Sequence, residues 1–360
     1  LIKLTGASVA ISTDWLKSGD SAGDKYEILI GGTNRPETAE AKAGLGAADW
    51  CVKIIGKKIV ICGWTETTTG MAVDSFLSLL EESVTQDSEG HKGISFIDFG
   101  EMTGTYSEWI TDIPEYEGGE FSGCVDANFG QLEYYITGTT ATEFIAYKAK
   151  LEASGYELYF ENESAGNLYA TYTRNSAMIH AYYVDSQNAT RIITGRPDGE
   201  VSLPNVIEES YEKVTESAIT QMTLDYASGN FGMCYVITLE DGSFIVFDGG
   251  GSDGNKDHIR LYNLLSKLNK RPDGKIVIAA WILTHEHWDH FMVFYNFCNT
   301  YGRQVTVEQY IANTPSKVVG YNSYNPNTYI EDGYFATASA AAGGIKLVKP
   351  HTGQVIKIRN

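Results

Sequence analysis

The sequence predicts an α+β chain of several domains, and three observations lead to this prediction. The chain has 360 residues, which exceeds the usual size of one domain. It contains 43% hydrophobic and 20% charged residues, a composition typical of folded proteins with a sizeable core. Strand-like runs and helix-like apolar stripes alternate along the chain, and two stretches rich in turn-forming and charged residues separate them.

Residues 1–85 are predicted to form an N-terminal α/β domain. A strand-like run ends in a turn at Gly31, and a polar helix is expected from Pro36 to Leu45. The segment from Thr67 to Glu82 carries apolar residues at helical spacing, which predicts a helix with one buried face.

Two of the five cysteines lie in a predicted hairpin of this domain, on either side of a turn at Gly56-Lys57. Counting outward from the turn places Cys51 directly opposite Cys62. Opposed residues are close enough for a disulfide, whereas two reduced, buried thiols are the simpler interpretation. The sequence contains no C-x-x-C pair, which argues against a thiolate zinc site.

The rest of the chain is predicted to hold two further domains and two connections. Composition predicts a linker over 86–125 and a second one over 201–216. Between them, residues 126–200 read as a small β-α-β-β-β module, in which His180 is interpreted as a packed histidine within a strand. Residues 217–360 form the third predicted domain, which carries the strongest chemical signal.

That signal is a loop with four potential metal ligands. It follows an apolar run at 276–283, typical of a buried strand, and reads His285-Glu286-His287-Trp288-Asp289-His290. The first two histidines can point the same way, and the last two ligands can bind a second ion beside the first. Imidazole with carboxylate suits zinc, and also manganese or iron where oxygen ligands are plentiful. A histidine-rich polar loop without metal is the alternative.

The elements before this loop extend the pattern. A strand hairpin ends at Asp248, a glycine-rich loop covers 249–254, and a helix is expected over 256–269. This order, followed by the strand and the H-E-H-W-D-H motif, resembles the metallo-β-lactamase-fold hydrolase superfamily. The resemblance implies an αββα sandwich, of which residues 217–360 have room for little more than the first half.

The resemblance also implies a site with two divalent metal ions. In it, His285 and His287 bind the first ion, and Asp289 and His290 bind the second. Asp289 is in addition the implied catalytic residue, which orients the metal-bound water or accepts its proton. Asp248 is the implied supporting residue, which fixes the loop by hydrogen bonds.

Two features depart from the superfamily pattern. Bulky residues, Phe291-Met292-Val293-Phe294, follow the motif where small residues are usual. The superfamily also takes a further histidine, a bridging aspartate and a final histidine from its second half. Here His351 is the only later histidine, in a turn before a predicted strand at 355–358, and it is not the favoured ligand. The sequence therefore favours a chain that stops before its site is complete, with metallo-hydrolase activity expected of the full-length protein and inactivity of this chain left open as an alternative.

A second resemblance concerns the N-terminal domain. The run from Glu27 to Arg35, followed by the cysteine hairpin and the helix after it, is similar to a small α/β domain that precedes the catalytic domain in several polysaccharide-degrading enzymes. It implies an accessory role next to a glycan rather than catalysis.

Three functional hypotheses follow. The first is a metal-dependent hydrolase, in which a hydroxide held by two divalent metal ions attacks an ester, amide or phosphodiester-type bond of a small-molecule or glycan-linked substrate. The second is a non-catalytic surface or glycan-binding protein that uses the fold as a scaffold. The third is an enzyme of which this chain is an inert piece.

Bulk properties exclude some partners. The net charge of −19 argues against nucleic-acid binding, and no apolar run reaches the length of a membrane span. The tyrosine-rich composition and the N-terminal resemblance favour an extracellular or cell-surface bacterial location.

Overall fold

A computed structural model of the chain describes residues 9–16, 23, 25–94, 100–197, 199, 201–204, 211–224, 232–251, 256–314, 329–330 and 332–359. The chain divides into two compact units. Unit one comprises Leu1–Ile113, Phe121–Asp126 and Leu132–Ile136, and unit two comprises Pro114–Glu120, Ala127–Gln131 and Thr137–Asn360. The finer division into five segments stays a prediction.

Unit one is built on a four-stranded sheet with the order β1-β3-β2-β6. Strand β1 is parallel to β3, and the other neighbours are antiparallel. The elements in chain order are β1 (Glu27–Ile30), α1 (Pro36–Lys42), β2 (Asp49–Ile55), β3 (Lys58–Gly63), α2 (Glu66–Glu82), β4 (Thr85–Gln86), β5 (Lys92–Gly93), β6 (Glu101–Thr105), β7 (Glu120–Asp126) and β8 (Leu132–Thr137).

Alternating side chains give this sheet an apolar core on each face, as the two-residue period of a strand requires. Trp50, Val52 and Ile61 pack with the buried stripe of α2, which consists of Ala72, Phe76 and Leu80. The alternate residues of β2 and β3 point to the other face. There, Cys51, Val60 and Cys62 pack with Leu29 and with Ala41 of α1. The predicted register is confirmed, because Cys51 pairs with Cys62.

Strand β6 lies within residues 86–125, the range whose composition predicts a linker. It pairs with β2 from Asp49 to Lys53, and the side chains of Lys53 and Glu101 form an ion pair at 2.9 Å. This strand contains glycine and threonine and no long apolar run, so nothing in its composition separated it from a loop.

The first part of unit two is a helix and a four-stranded antiparallel meander. Helix α3 (Ala141–Ala153) begins with a capping box, in which Thr140 and Glu143 exchange side-chain and backbone hydrogen bonds. The strands follow in sequence order and pair with their neighbours: β9 (Glu157–Ser164), β10 (Asn167–Arg174), β11 (Ala177–Val184) and β12 (Ala189–Gly195).

The second part of unit two is a mixed sheet with the order β13-β14-β15-β16-β18-β19, in which β17 also pairs with β16. Strands β13 to β15 are antiparallel, and all pairs from β15 onward are parallel. Helices connect the parallel strands. The elements are β13 (Ala218–Gln221), β14 (Cys234–Thr238), β15 (Phe244–Asp248), α4 (Asp257–Leu268), β16 (Ile276–Ile282), α5 (Trp288–Tyr301), β17 (Val305–Val307), β18 (Gln309–Ile311), α6 (Tyr334–Ala341) and β19 (Lys346–Val348).

Both faces of this sheet are apolar, but different elements cover them. The helices contribute Phe291, Phe294 and Phe297 to a large core around Trp281. On the other face, Ala280, Ile311 and Val348 pack with Ile356 and Ile358 from the C-terminal segment. The predicted strand at 355–358 is therefore wrong: its alternating apolar side chains pack on the sheet, but its backbone is not in a strand.

Candidate metal centre

The histidine loop lies at the carboxyl end of two neighbouring parallel strands. Strand β16 ends at Ile282, the loop follows, and α5 begins at Trp288 with His287 in the N-cap position. Phe247 of β15 pairs with Ile282, so Asp248, which ends β15, lies at the same sheet edge. Such edges are the usual place for ligand sites in sheets of this kind.

Asp248 fastens the loop to the sheet. Its side chain is completely buried, and one carboxylate oxygen accepts a hydrogen bond from the Thr284 backbone N–H at 2.8 Å. The other oxygen accepts one from the Thr284 hydroxyl, also at 2.8 Å. The Trp281 indole donates to the Asp248 backbone carbonyl at 2.7 Å. These contacts are of the kind that the predicted supporting role requires.

The chain turns sharply at this aspartate, which has a φ of +53°. Such a left-handed conformation costs energy for most residues, although aspartate tolerates it comparatively well. The glycine that follows allows α5 to approach closely, because a Cβ on Gly249 would lie 2.8 Å from the Val293 Cβ. Gly249 and Gly250, at the start of the glycine-rich loop predicted over 249–254, therefore pack against the helix that carries His290. The rest of that prediction, from residue 252 onward, lies outside the described residues.

The three loop histidines are brought together. The ring centroid of His285 lies 3.9 Å from that of His290 and 4.6 Å from that of His287. His285 and His287 are exposed, whereas His290 is buried. The Oδ2 atom of Asp289 lies 3.7 Å from the His290 Nε2 atom. All four predicted ligands therefore belong to one cluster.

A hydrogen-bond relay fixes the tautomer of His285. The Thr284 hydroxyl has one proton, which it donates to the Asp248 carboxylate. Since this hydroxyl lies 3.1 Å from the His285 Nδ1 atom, it accepts a hydrogen bond from the Nδ1–H group. The Nε2 atom of His285 then keeps its lone pair, the form in which an imidazole binds a metal ion.

Electrostatics favours the same form. Partial desolvation of the exposed His285 ring, followed by the neighbouring His290 and His287 rings, lowers the pKa of His285. The neutral imidazole is therefore favoured near neutral pH.

Each ring nitrogen of His290 faces a carboxylate. Its Nδ1 atom lies 3.0 Å from Asp248 Oδ2, an ion-pair distance at which the angles do not meet hydrogen-bond geometry. Its Nε2 atom lies 3.7 Å from Asp289 Oδ2. The buried Asp248 therefore contacts both the loop backbone and the first turn of α5.

Glu286 and Trp288, the other two residues of the motif, lie in different environments. Glu286 is buried, and its Oε1 atom accepts a hydrogen bond from the Ile330 backbone N–H at 2.8 Å. Trp288 is 40% exposed beside the cluster. No neighbouring residue predicts the role of Glu286, because its partner lies 44 positions further along the chain.

The bulky start of α5, which departs from the superfamily pattern, has a structural explanation. The Phe291 ring stacks on Tyr329, with centroids 4.7 Å apart and an interplanar angle of 7°. Phe294 packs on the Tyr310 ring at 4.3 Å. These side chains fill the core between the helices and the sheet beneath the loop.

His351 stacks on His180 and not on the histidines of the loop, as far as the described residues show. Their ring centroids lie 5.0 Å apart, with an interplanar angle of 18°. His180 donates to the Thr352 carbonyl at 3.0 Å and contacts the Thr171 hydroxyl at 2.8 Å. The prediction that His180 is a packed histidine is confirmed, and burial lowers its pKa to about 4.

The loop residues fit a metal ion in donor chemistry and proximity. Three imidazoles and a carboxylate are the donors that zinc and similar ions prefer, and the hydrogen bond to Thr284 leaves the Nε2 lone pair of His285 for an ion. The side chains do not yet converge, since no three histidine, cysteine, aspartate or glutamate residues of the described chain are arranged as metal ligands. Binding therefore requires side-chain rotation within the cluster.

The fold and the cluster define the class of this domain. Residues 227–345 match the family model of the metallo-beta-lactamase superfamily. Unit two thus contains a metallo-beta-lactamase superfamily domain over these residues, and members of this superfamily are generally hydrolytic and usually bind divalent metal ions.

The remaining comparisons are negative. No curated protein and no solved structure matches the chain significantly. The resemblance of residues 1–85 to an accessory domain of polysaccharide-degrading enzymes is not supported by these comparisons. Within the described ranges, none of the helices combines the length and the hydropathy that a bilayer span requires.

Proposed function

We propose that the superfamily domain is a metal-dependent hydrolase whose centre is the loop from His285 to His290. The observation that carries the proposal is the relay from Asp248 through Thr284 to His285, since it fixes one imidazole in its metal-binding form within a cluster of three.

Each residue has a distinct part in the proposal. His285 and His287 hold one divalent ion, and Asp289 and His290 hold a second one. Zinc is the favoured ion on donor type, with manganese and iron as alternatives. When bound, such ions provide Lewis acidity that activates water and neutralises developing negative charge.

The protein's own contribution is orientation and proton handling. Asp289 is partly exposed, so its carboxylate can accept a proton from an attacking water or orient that water. Asp248 is fully buried and acts at a distance, by holding the loop. The proposed substrates contain an ester, amide or phosphodiester-type bond and are small molecules or glycan-linked molecules.

One observation favours a second candidate, a non-catalytic surface or glycan-binding protein that uses the domain as a scaffold. In the described part of the chain, no three potential ligands are arranged around a common point. A cluster that never binds metal has the same appearance.

Metal content and turnover distinguish the two candidates. The full chain is incubated with Zn²⁺ or Mn²⁺, freed of unbound metal, and analysed by mass spectrometry for bound metal. A panel of chromogenic esters, amides and phosphodiesters is then tested. We expect at least one ion per chain in the wild type, and loss of the ion and of whatever turnover the wild type shows in His285→Ala.

A matched control is His91→Ala, which removes an exposed histidine of unit one. This variant is expected to keep the metal and the activity. Less than one bound ion per wild-type chain, or unchanged turnover in His285→Ala, contradicts the proposed hydrolase.

A further inference from the structure

Unit one contains two thiols that face each other across its sheet. Cys51 on β2 is paired directly with Cys62 on β3, and their Sγ atoms lie 3.8 Å apart. Opposed residues of antiparallel strands have Cα atoms about 4.5–5.5 Å apart. This separation lies within the ~4.4–6.8 Å that disulfides span, so a bond between the sulfurs requires side-chain rotation but no change of register.

The contact between the two sulfurs does not distinguish them. Either thiol can donate the hydrogen bond that joins them, and the Cys51 thiol is also placed to donate to the Ala41 backbone carbonyl at 3.6 Å. Because the thiolate is the reactive form, the thiol that loses its proton is the nucleophile and the facing one is the resolving thiol.

We propose that Cys51 and Cys62 form a redox-active pair, which a small peroxide converts into an intramolecular disulfide. Both side chains are buried, so a compact oxidant suits the pair better than a bulky disulfide. The modification site is independent of the metal cluster and of any hydrolase activity.

The reaction proceeds in two steps. One thiol loses its proton, its thiolate attacks one peroxide oxygen, and the O–O bond breaks. The attacked oxygen stays on the sulfur as a sulfenic acid, and the leaving alkoxide or hydroxide takes up the released proton to become an alcohol or water. The facing sulfur then attacks the sulfenic sulfur, the S–O bond breaks, and water leaves with the proton of the second thiol. The two thiols are oxidised by two electrons in total, and the peroxide is reduced by two.

The other three cysteines provide matched controls. Cys124 is also buried in unit one, where its thiol donates to the Ala47 carbonyl at 3.5 Å. Cys234 and Cys298 are buried in unit two. If burial alone governed oxidation, these residues would react like the pair, whereas the proposal restricts disulfide formation to the two facing sulfurs.

The experiment uses the native full chain and hydrogen peroxide. After quenching, the protein is denatured without reductant and alkylated, and its mass and tryptic peptides are measured. Trypsin cleaves after Lys53 and Lys58, between the two cysteines, so the disulfide appears as a linked pair of peptides. We expect two of the five cysteines to escape alkylation, and dithiothreitol to restore both.

The variants give the contrast. Cys124→Ser is expected to form the same linked peptides, whereas Cys51→Ser is expected to form none. The proposal is overturned if all five wild-type cysteines are alkylated after a treatment that fully oxidises glutathione, or if the linked peptides contain other cysteines. Because the peptides are assigned in the wild type, the result does not depend on the folding of a variant.

Discussion

Unit two contains two groups of histidines whose rings are in contact, and they differ in what their nitrogens can do. In the pair of His180 and His351, the rings are stacked and buried, and both ring nitrogens of His180 have hydrogen-bond partners. In the loop cluster, His285 donates through Nδ1 to Thr284 and keeps its Nε2 lone pair, and His290 Nδ1 lies 3.0 Å from Asp248 Oδ2. Contact between imidazoles therefore does not by itself indicate a metal site, because a ring nitrogen must also keep a lone pair for the ion.

The largest effect is expected where the loop cluster is attached to the sheet. Asp248→Ala removes both acceptors of the Thr284 N–H and hydroxyl groups from a fully buried position. We expect the free energy of unfolding of unit two to fall by about 4 kcal/mol, measured by urea denaturation. Asp248→Asn keeps one acceptor and tolerates the positive φ, so it is expected to lose clearly less; equal losses contradict the bonding described for this residue.

The buried pair predicts a large pH dependence of stability, which His180 carries. The pKa of His180 is lowered to about 4 from the ordinary 6.5, so the unfolded chain binds this proton at higher pH. The contribution to stability is complete above about pH 6.5 and is lost as the pH falls towards about 4. Over this range, we expect the free energy of unfolding to fall by roughly 3 kcal/mol more in the wild type than in His180→Gln.

Denaturation at several pH values measures this difference. His91→Ala, which changes an exposed histidine, is expected to follow the wild-type curve. Parallel curves for wild type and His180→Gln mean that the buried pair is not the source of the dependence.

A smaller loss of stability is expected from changing Glu286, whose hydrogen bond to the Ile330 N–H belongs to the histidine loop. Glu286→Leu leaves the buried Ile330 N–H without this acceptor, and we expect a loss of about 2 kcal/mol in urea denaturation. Glu286→Gln keeps an oxygen in place and is expected to lose less than half as much. If Glu286→Leu is as stable as the wild type, the bond has no net effect on stability.

The smallest effect is expected from the relay hydroxyl. Thr284→Val keeps the backbone bond to Asp248 but removes the hydroxyl contacts to Asp248 and His285. We expect a stability loss of about 1 kcal/mol together with weaker zinc binding, measured by isothermal titration. Unchanged zinc affinity indicates that the relay does not prepare His285 for metal.

Local chemistry made several features predictable from the sequence. The two-residue turn at Gly56-Lys57 predicts the hairpin register. The apolar run at 276–283 predicts a buried strand. The position of Asp248, at the end of a strand and just before a glycine-rich loop, was likewise predictable from its neighbours. Each of these signals is carried by neighbouring residues, so no knowledge of distant contacts was needed.

The features that the sequence missed depend on partners far along the chain. Strand β6 becomes a strand because β2 is available to pair with it, and nothing within its own five residues predicts that. Residues 355–358 have the alternation of a strand but use it only to pack side chains. The bond from Glu286 to Ile330 and the stack of His351 on His180 likewise join distant segments.

Zinc titration followed by NMR of the imidazole nitrogens tests the contrast between the two histidine groups most directly. The ring ¹⁵N signals of the wild-type chain are assigned and then followed as Zn²⁺ is added. We predict that the signals of His285, His287 and His290 shift to metal-bound positions, whereas those of His180 and His351 stay unchanged. Shifts at the buried pair, or no shift at the three loop histidines, contradict the proposed metal centre.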